Sequence, residues 1–438
     1  MCHRISFKEA KGMKENKWLI WCSLCWVMVV TGCVRNQFDL ERYEEIVDEM
    51  SPVVDVDEDH DWLLSTTKSL MVDFTGLEDI ERIQILTDNP ATTDLATIVG
   101  ETYVSSKNVI TMSITYPNLQ ETLYAAAIDS DERYTIVVFN PNVKDAVNFT
   151  NPIVNKEKLT NLNQLQIFTY LFEEEYPEPG DYDYNDIVVR LSMRRTALRE
   201  VRINVELAAV GASKQLAFAI RLFGYKSSDI EKVTTVDDAS FDIVAGVEFP
   251  EQMRTVMKEK DLLITGLYQD AVLNIFADAH WATGDKLNAD YGIMTRKRYN
   301  VSTTKNDIYG TFIPREITYV VTFKEGVDID NLSLGQLDPF AIEQYNSANW
   351  EIHTYAFNNT QVLSPYPGQL ITSLPWALCV PNSTFRWPLH AVAIGGRKQG
   401  ASTGAYHTFD HSFGEWAQDM DQAKDWYLYP DKEQTYYK

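Results

Sequence analysis

Residues Phe168 to Leu191 read FTYLFEEEYPEPGDYDYNDIVVRL and carry most of the chemistry visible in this 438-residue chain. Glu173, Glu174, Glu175, Glu178, Asp181, Asp183 and Asp186 place seven carboxylates within fourteen residues, with the Asn185 amide among them. Pro177, Pro179 and Gly180 force the stretch to turn. Carboxylates folded back on one another repel unless a cation neutralises them. A hard divalent ion does this best, since Ca²⁺ takes about 6–8 oxygens from carboxylates, amides and backbone carbonyls. The expected ligands are Glu173, Asp181, Asp183, Asn185 and Asp186, and the expected cofactor is a structural Ca²⁺. The spacing is not that of an EF-hand. Asp186 stands where the sixth loop position requires Gly, and Ser192 where the twelfth requires a bidentate Glu.

The elements that hold this turn are apolar runs. Ile187, Val188 and Val189 follow it directly, and Tyr182 and Tyr184 are interleaved with its acids, so the turn is expected to be tied to a packed core. Strand signals recur on both sides. Ile110, Met112, Ile114 and Tyr116 alternate with Thr111, Ser113 and Thr115, and Val201, Ile203, Val205 and Leu207 alternate with Arg202, Asn204 and Glu206. Ile317, Tyr319, Val321 and Phe323 repeat the pattern. Period two of this kind marks strands with a buried face. Pro339 to Asn346 reads as a short helix. The expected fold is all-β, two β-sandwich domains, the first of immunoglobulin-like size over 62–160 and the second larger, with long loops, over 161–438.

The N-terminus reads as a leader. Lys14 and Lys17 precede an apolar core from Trp18 to Val30, too short for the ~20 residues of a spanning helix. Val30-Thr31-Gly32-Cys33 resembles the bacterial lipobox, which implies cleavage and acylation at Cys33 and anchorage through two or three acyl chains. Met13 would open a more typical signal than Met1. Residues 1–33 are thus a lipoprotein signal peptide with its lipidated cysteine, and 34–61 an acidic tether with a short helix at Leu40 to Met50. Loss of residues 1–32 moves the formal charge from −24 to −27, because five basic and two acidic residues leave. So acidic a chain excludes a nucleic-acid partner, which calls for a basic face. The partners expected are the membrane, through the anchor, and an extracellular glycan or protein. Cys379 is then the last unmodified cysteine, so no intramolecular disulfide forms in the mature chain, and its apolar surroundings make it a small buried hydrophobe.

Phe172-Glu173-Glu174 followed by Gly180-Asp181-Tyr182-Asp183-Tyr184-Asn185-Asp186-Ile187-Val188-Val189 resembles the signature of the LruC domain, a bacterial surface-lipoprotein domain of unassigned biochemical role. Asp59-His60-Asp61-Trp62, Glu351-Ile352-His353, Leu374-Pro375-Trp376-Ala377, Phe385-Arg386-Trp387-Pro388 and Phe413-Gly414-Glu415-Trp416-Ala417 extend the resemblance. The family usually reads Phe-Glu-Asp where this chain has Glu174, and an acidic residue is expected where His390 stands. The resemblance implies a lipid-anchored protein of the Gram-negative outer membrane or cell surface.

Four side readings complete the survey. Trp376, Trp387, Trp416 and Trp426 are core, or else a sugar-stacking platform. His407 and His411 fall in a loop rather than in a zinc site, and His60, between acids, reads as solvated. Asp278, His280 and Asp285 sit in a polar loop. No nucleophile–base order, phosphate loop or HExxH motif is present, so the protein reads as no enzyme. A glycan-binding or adhesion module is the alternative. A carbohydrate-active hydrolase using two of the clustered acids is the other, and it needs a carboxylate pair ~5–10 Å apart across a cleft.

Overall fold

The computed structural model describes residues 51–105, 107–159, 164–176, 180–253, 261–286, 295–345, 348–360, 362–363, 374–398 and 401–436. The leader, Cys33 and the helix expected at Leu40 to Met50 lie outside the described residues. From Ser65 onward strands dominate, and the α-helices described, Ala279–Ala282 and Phe413–Gln418, are short. The fold is all-β and built of sandwiches.

In the first sandwich, Val109–Pro117, Ser65–Asp73 and Ala146–Asn148 form one sheet in that order. The other has six strands, in the order Val154–Lys158, Arg133–Phe139, Leu123–Asp129, Ile80–Leu86, Thr97–Tyr103 and Gln164–Leu165. Ile110, Met112 and Ile114 meet Ile83, Ile85 and Ala125 in the core between the sheets, as the alternation in 110–116 predicts.

The second sandwich pairs a six-stranded sheet, Ile230–Thr235, Arg315–Phe323, Glu200–Ala209, Ile187–Ala197, Phe168–Phe172 and Ala377–Val380, with a five-stranded one. The five are Leu263–Ile264, Ala271–Phe276, Leu216–Leu222, Leu337–Tyr345 and Ala348–His353. Phe168, Tyr170 and Phe172 face the five-stranded sheet, while Leu171 and Val188 point the other way into an aromatic layer built by residues 374–436. Both faces of the six-stranded sheet are covered where it bears the acidic turn, and its strands there are nearly continuously apolar for that reason.

The segment 337–345 is a strand, not the helix expected over 339–346. Pro339 sits opposite Ile220 and Phe340 opposite Ala219. Leu337 and Ala341 face the inter-sheet core, and Phe340 and Ile342 the opposite face. Burial on both faces hides the period-two signal. A polar seam joins the two sandwiches: the Ser113 amide donates to the Asp330 carbonyl at 2.9 Å, and the Gly335 amide donates to Thr115 Oγ1 at 2.9 Å.

Residues 51–61, expected as the end of the tether, pack against the aromatic layer, with Ser51, Val53 and His60 buried. His60 is not solvated. Its Nε2 lies 2.9 Å from the Trp416 carbonyl oxygen, and its ring stacks on Trp62 at 4.0 Å. Burial pushes its pKa down, so the neutral ring serves as a packing group.

Candidate metal centre

The acidic turn joins two antiparallel strands whose last pair is Phe172 with Ile187. Both of its ends are therefore fixed in one sheet. Within it the backbone passes twice through left-handed conformations at non-glycine residues, Tyr182 at φ 57° and Tyr184 at φ 52°. Each such residue costs on the order of 1–3 kcal/mol. Aromatic burial offsets that cost, because both rings join the aromatic layer and the Tyr184 hydroxyl donates to the Pro375 carbonyl at 2.6 Å. Glu173, Asp183 and Asp186 are consequently buried, with one oxygen of each lying within 4.8 Å of the others.

These carboxylates are also held by the backbone. Glu173 accepts from the amides of Tyr182 and Tyr184 at 2.8 and 2.9 Å. Asp183 accepts from Asn185 and Ala391 at 3.0 and 2.8 Å, and Asp186 from Glu174 at 2.6 Å. Glu174 accepts from the Ser213 amide and hydroxyl and from the Lys214 amide. Two glycines let the chain approach this closely. A Cβ on Gly180 would collide with the Glu173 carboxylate, and one on Gly211 with the Asn185 amide oxygen.

Amide donors soften the charge without cancelling it. Burial pushes the Glu173 carboxyl well above its ordinary range, with Asp183 and Asp181 adding to the shift. Asp186 rises well above its range through burial and then through Glu174 and Glu173. Asp183 is pushed up to about 6 by burial, with His390 working against the rise. At an effective dielectric of about 20, two like charges ~4 Å apart cost about 4 kcal/mol. Three such pairs would oppose a whole domain's net stability of roughly 5–15 kcal/mol. The Lys214 ammonium donates to Glu343, at 2.6 Å.

Of the residues expected as ligands, Glu173, Asp183 and Asp186 meet. Asn185 is fully buried beside them: its Nδ2 donates to the Pro388 carbonyl, and its Oδ1 receives no hydrogen bond. Asp181 lies on the outer side, 40 % exposed, where it groups with Asp183 and His390. Glu175 is exposed, and Glu178 lies outside the described residues. The donor set is all oxygen, as Ca²⁺ requires, and the Asn185 amide oxygen is a buried acceptor in want of a cation or a donor.

The remaining expectations resolve as follows. Trp376, Trp387, Trp416 and Trp426 are at most 4 % exposed, so they are core and offer no stacking platform. His407 and His411 turn to separate partners, the Gly404 carbonyl oxygen at 2.6 Å and Asp425 at 2.9 Å. Cys379 is half-buried on its strand opposite Tyr170, and burial of the thiol pushes its pKa up to about 12, which makes it no nucleophile at neutral pH. Asp278 caps the helix Ala279–Ala282, accepting from the amides of His280 and Trp281.

Sequence reasoning missed a second buried charge cluster, on the outer face of the five-stranded sheet. Arg221 donates to Asp338 (Nε to Oδ2, 2.9 Å), and His353 lies between Asp338 at 2.9 Å and Glu351 at 3.2 Å. The Tyr268 hydroxyl and the amides of Val362 and Leu363 complete the Glu351 carboxylate. Its trace in the sequence was the triplet Glu351-Ile352-His353, whose two polar residues share one face of a strand.

The fold and site define a β-sandwich protein with a buried acidic turn at the end of one sheet. The chain belongs to the family described as Domain of unknown function (DUF4842), whose model matches residues 197–427. That span leaves out the acidic turn itself but holds the surfaces that receive it, Gly211 to Lys214 and His390 to Ala391. Among curated proteins none matches this sequence. A crystal structure of a Bacteroides ovatus protein, provisionally described as a lipoprotein, is similar with a TM-score of 0.46 and 12% identity, over 82% of this chain and 99% of that one.

Proposed function

We propose that the chain is a non-catalytic lipoprotein, held by acyl chains on Cys33 at the outer membrane or cell surface, whose second sandwich is braced by Ca²⁺ in the turn 173–186. The observation that carries the metal is the convergence of three buried carboxylates with which, among the described residues, no Lys or Arg side chain is paired. Glu173, Asp183, Asp186 and Asn185 Oδ1 would hold the ion, with Asp181 at its solvent side. A bound cation supplies the positive charge that lets all the acids stay ionised and clamps the two strands that the turn joins. The lipobox-like Val30 to Cys33 and the LruC-like turn support the anchor and the surface location. A hydrolytic carboxylate pair gains no support from Glu173, Asp183 and Asp186, which are at most 4 % exposed.

Thermal unfolding of the detergent-solubilised full chain tests the ion. At a calcium concentration near 100 times its dissociation constant, binding contributes about 2.7 kcal/mol. The melting temperature is expected to fall by roughly 5 °C on exhaustive chelation and to return with Ca²⁺. An unchanged melt after chelation removes the metal from the reading.

A further inference from the structure

We propose that Asp181, Asp183 and His390 form a second, outer site for a nitrogen-accepting transition cation of the Zn²⁺ type. His390 Nδ1 lies 3.4 Å from Asp183 Oδ2 and 3.9 Å from Asp181 Oδ2, and the three ligand atoms all fall within 4.8 Å of one another. Zinc bound at about 2.0–2.1 Å by imidazole and carboxylate in tetrahedral geometry sets its ligand atoms about 3.3 Å apart. The Asp183–His390 pair already has that spacing. Asp181 must close by about half an ångström for the same geometry, and its side chain is 40 % exposed and able to move.

The position of the imidazole suits a metal. His390 Nδ1 is closed off from solvent and faces the carboxylates of Asp183 and Asp181. The ring is also pre-positioned. The backbone amides of His390, Ala391 and Ile394 donate to the Val301 carbonyl, Asp183 Oδ2 and the Tyr182 carbonyl at 2.8, 2.8 and 2.7 Å, which ties the two loops together. Tyr309 packs against the imidazole with ring centroids 5.8 Å apart.

The inner and outer groups differ in chemistry. Glu173, Asp183 and Asp186 offer only hard oxygen, whereas His390 adds the borderline nitrogen that suits Zn²⁺ and disfavours Ca²⁺. Asp183 is common to both, but the outer site does not require that calcium occupy the inner one. Three protein ligands at a partly exposed edge leave the fourth position to water.

Titration calorimetry with Zn²⁺ alone, added to the full chain in saturating Ca²⁺, tests this site. One zinc per chain is expected to bind in the wild type, with the affinity lowered by on the order of tenfold or more in His390→Ala and in Asp181→Asn. The calcium-dependent melting shift should persist in His390→Ala. Asp181→Asn keeps the test open if His390→Ala fails to fold, since residue 181 is partly exposed. Equal zinc affinity in wild type and variants, or no zinc uptake by the wild type, overturns the outer site. A chain that binds zinc through His390 yet melts identically with and without calcium would sink the inner site and leave this one standing.

Discussion

Two buried charge clusters in the second sandwich reach the interior by different routes. On the outer face of the five-stranded sheet, Arg221 and His353 stand against Asp338 and Glu351, two cations matched to two anions at hydrogen-bonding distance. In the turn at 173–186, three buried carboxylates meet with, among the described residues, backbone amides as donors and the His390 imidazole at the rim. The first cluster satisfies itself. On the proposed reading, the second is completed by a bound metal ion. A self-neutralised cluster serves as fixed structure, whereas an unneutralised one makes folding respond to the surroundings.

The sharpest way to break this comparison is to unbalance the matched cluster. Arg221→Met removes one cation and leaves Asp338 buried with His353 alone. Loss of one partner of a buried pair costs about 3–5 kcal/mol, and chemical denaturation should show a loss of that size with or without calcium. A value below 1 kcal/mol would mean that Asp338 does not need the guanidinium.

A smaller effect comes from pH. Although burial lowers the His353 pKa, Asp338 and Glu351 outweigh it and hold the pKa above its ordinary value. A raised folded value means that the histidine's contribution is fully present below pH 6.5 and is lost as pH rises through the folded value. Denaturation midpoints should therefore fall above neutral pH in the wild type, and His353→Gln should flatten that fall. Identical pH profiles for the two proteins would show that His353 is not protonated between its acids.

Much of this could be read before the fold was known, wherever one face of a strand is apolar and the other polar. The alternation at 110–116 and at 201–207 is of that kind, and both segments are strands of the expected sandwiches. The acidic turn was equally plain, because seven carboxylates around two prolines and a glycine leave few other conformations. Where a strand is covered on both faces, as at 337–345, the alternation disappears and Pro339 reads as a helix start. His60 looked solvated because its sequence neighbours are acids, whereas its spatial neighbours are Trp62 and Trp416. The Arg221 cluster escaped notice for a related reason. Its members come from separate strands, and charged residues in a sequence default to the surface until the sheet brings them together.

The central claim, that the turn is incomplete without a cation, is tested most directly by Asp186→Asn measured with and without calcium. The new amide can still accept the Glu174 N–H through its oxygen, so the substitution removes charge and little else. In chelator, where the acids repel, stability should rise by about 1–3 kcal/mol. In saturating Ca²⁺ it should fall by a similar amount, because a ligand has been lost. The same sign in both conditions would contradict the account.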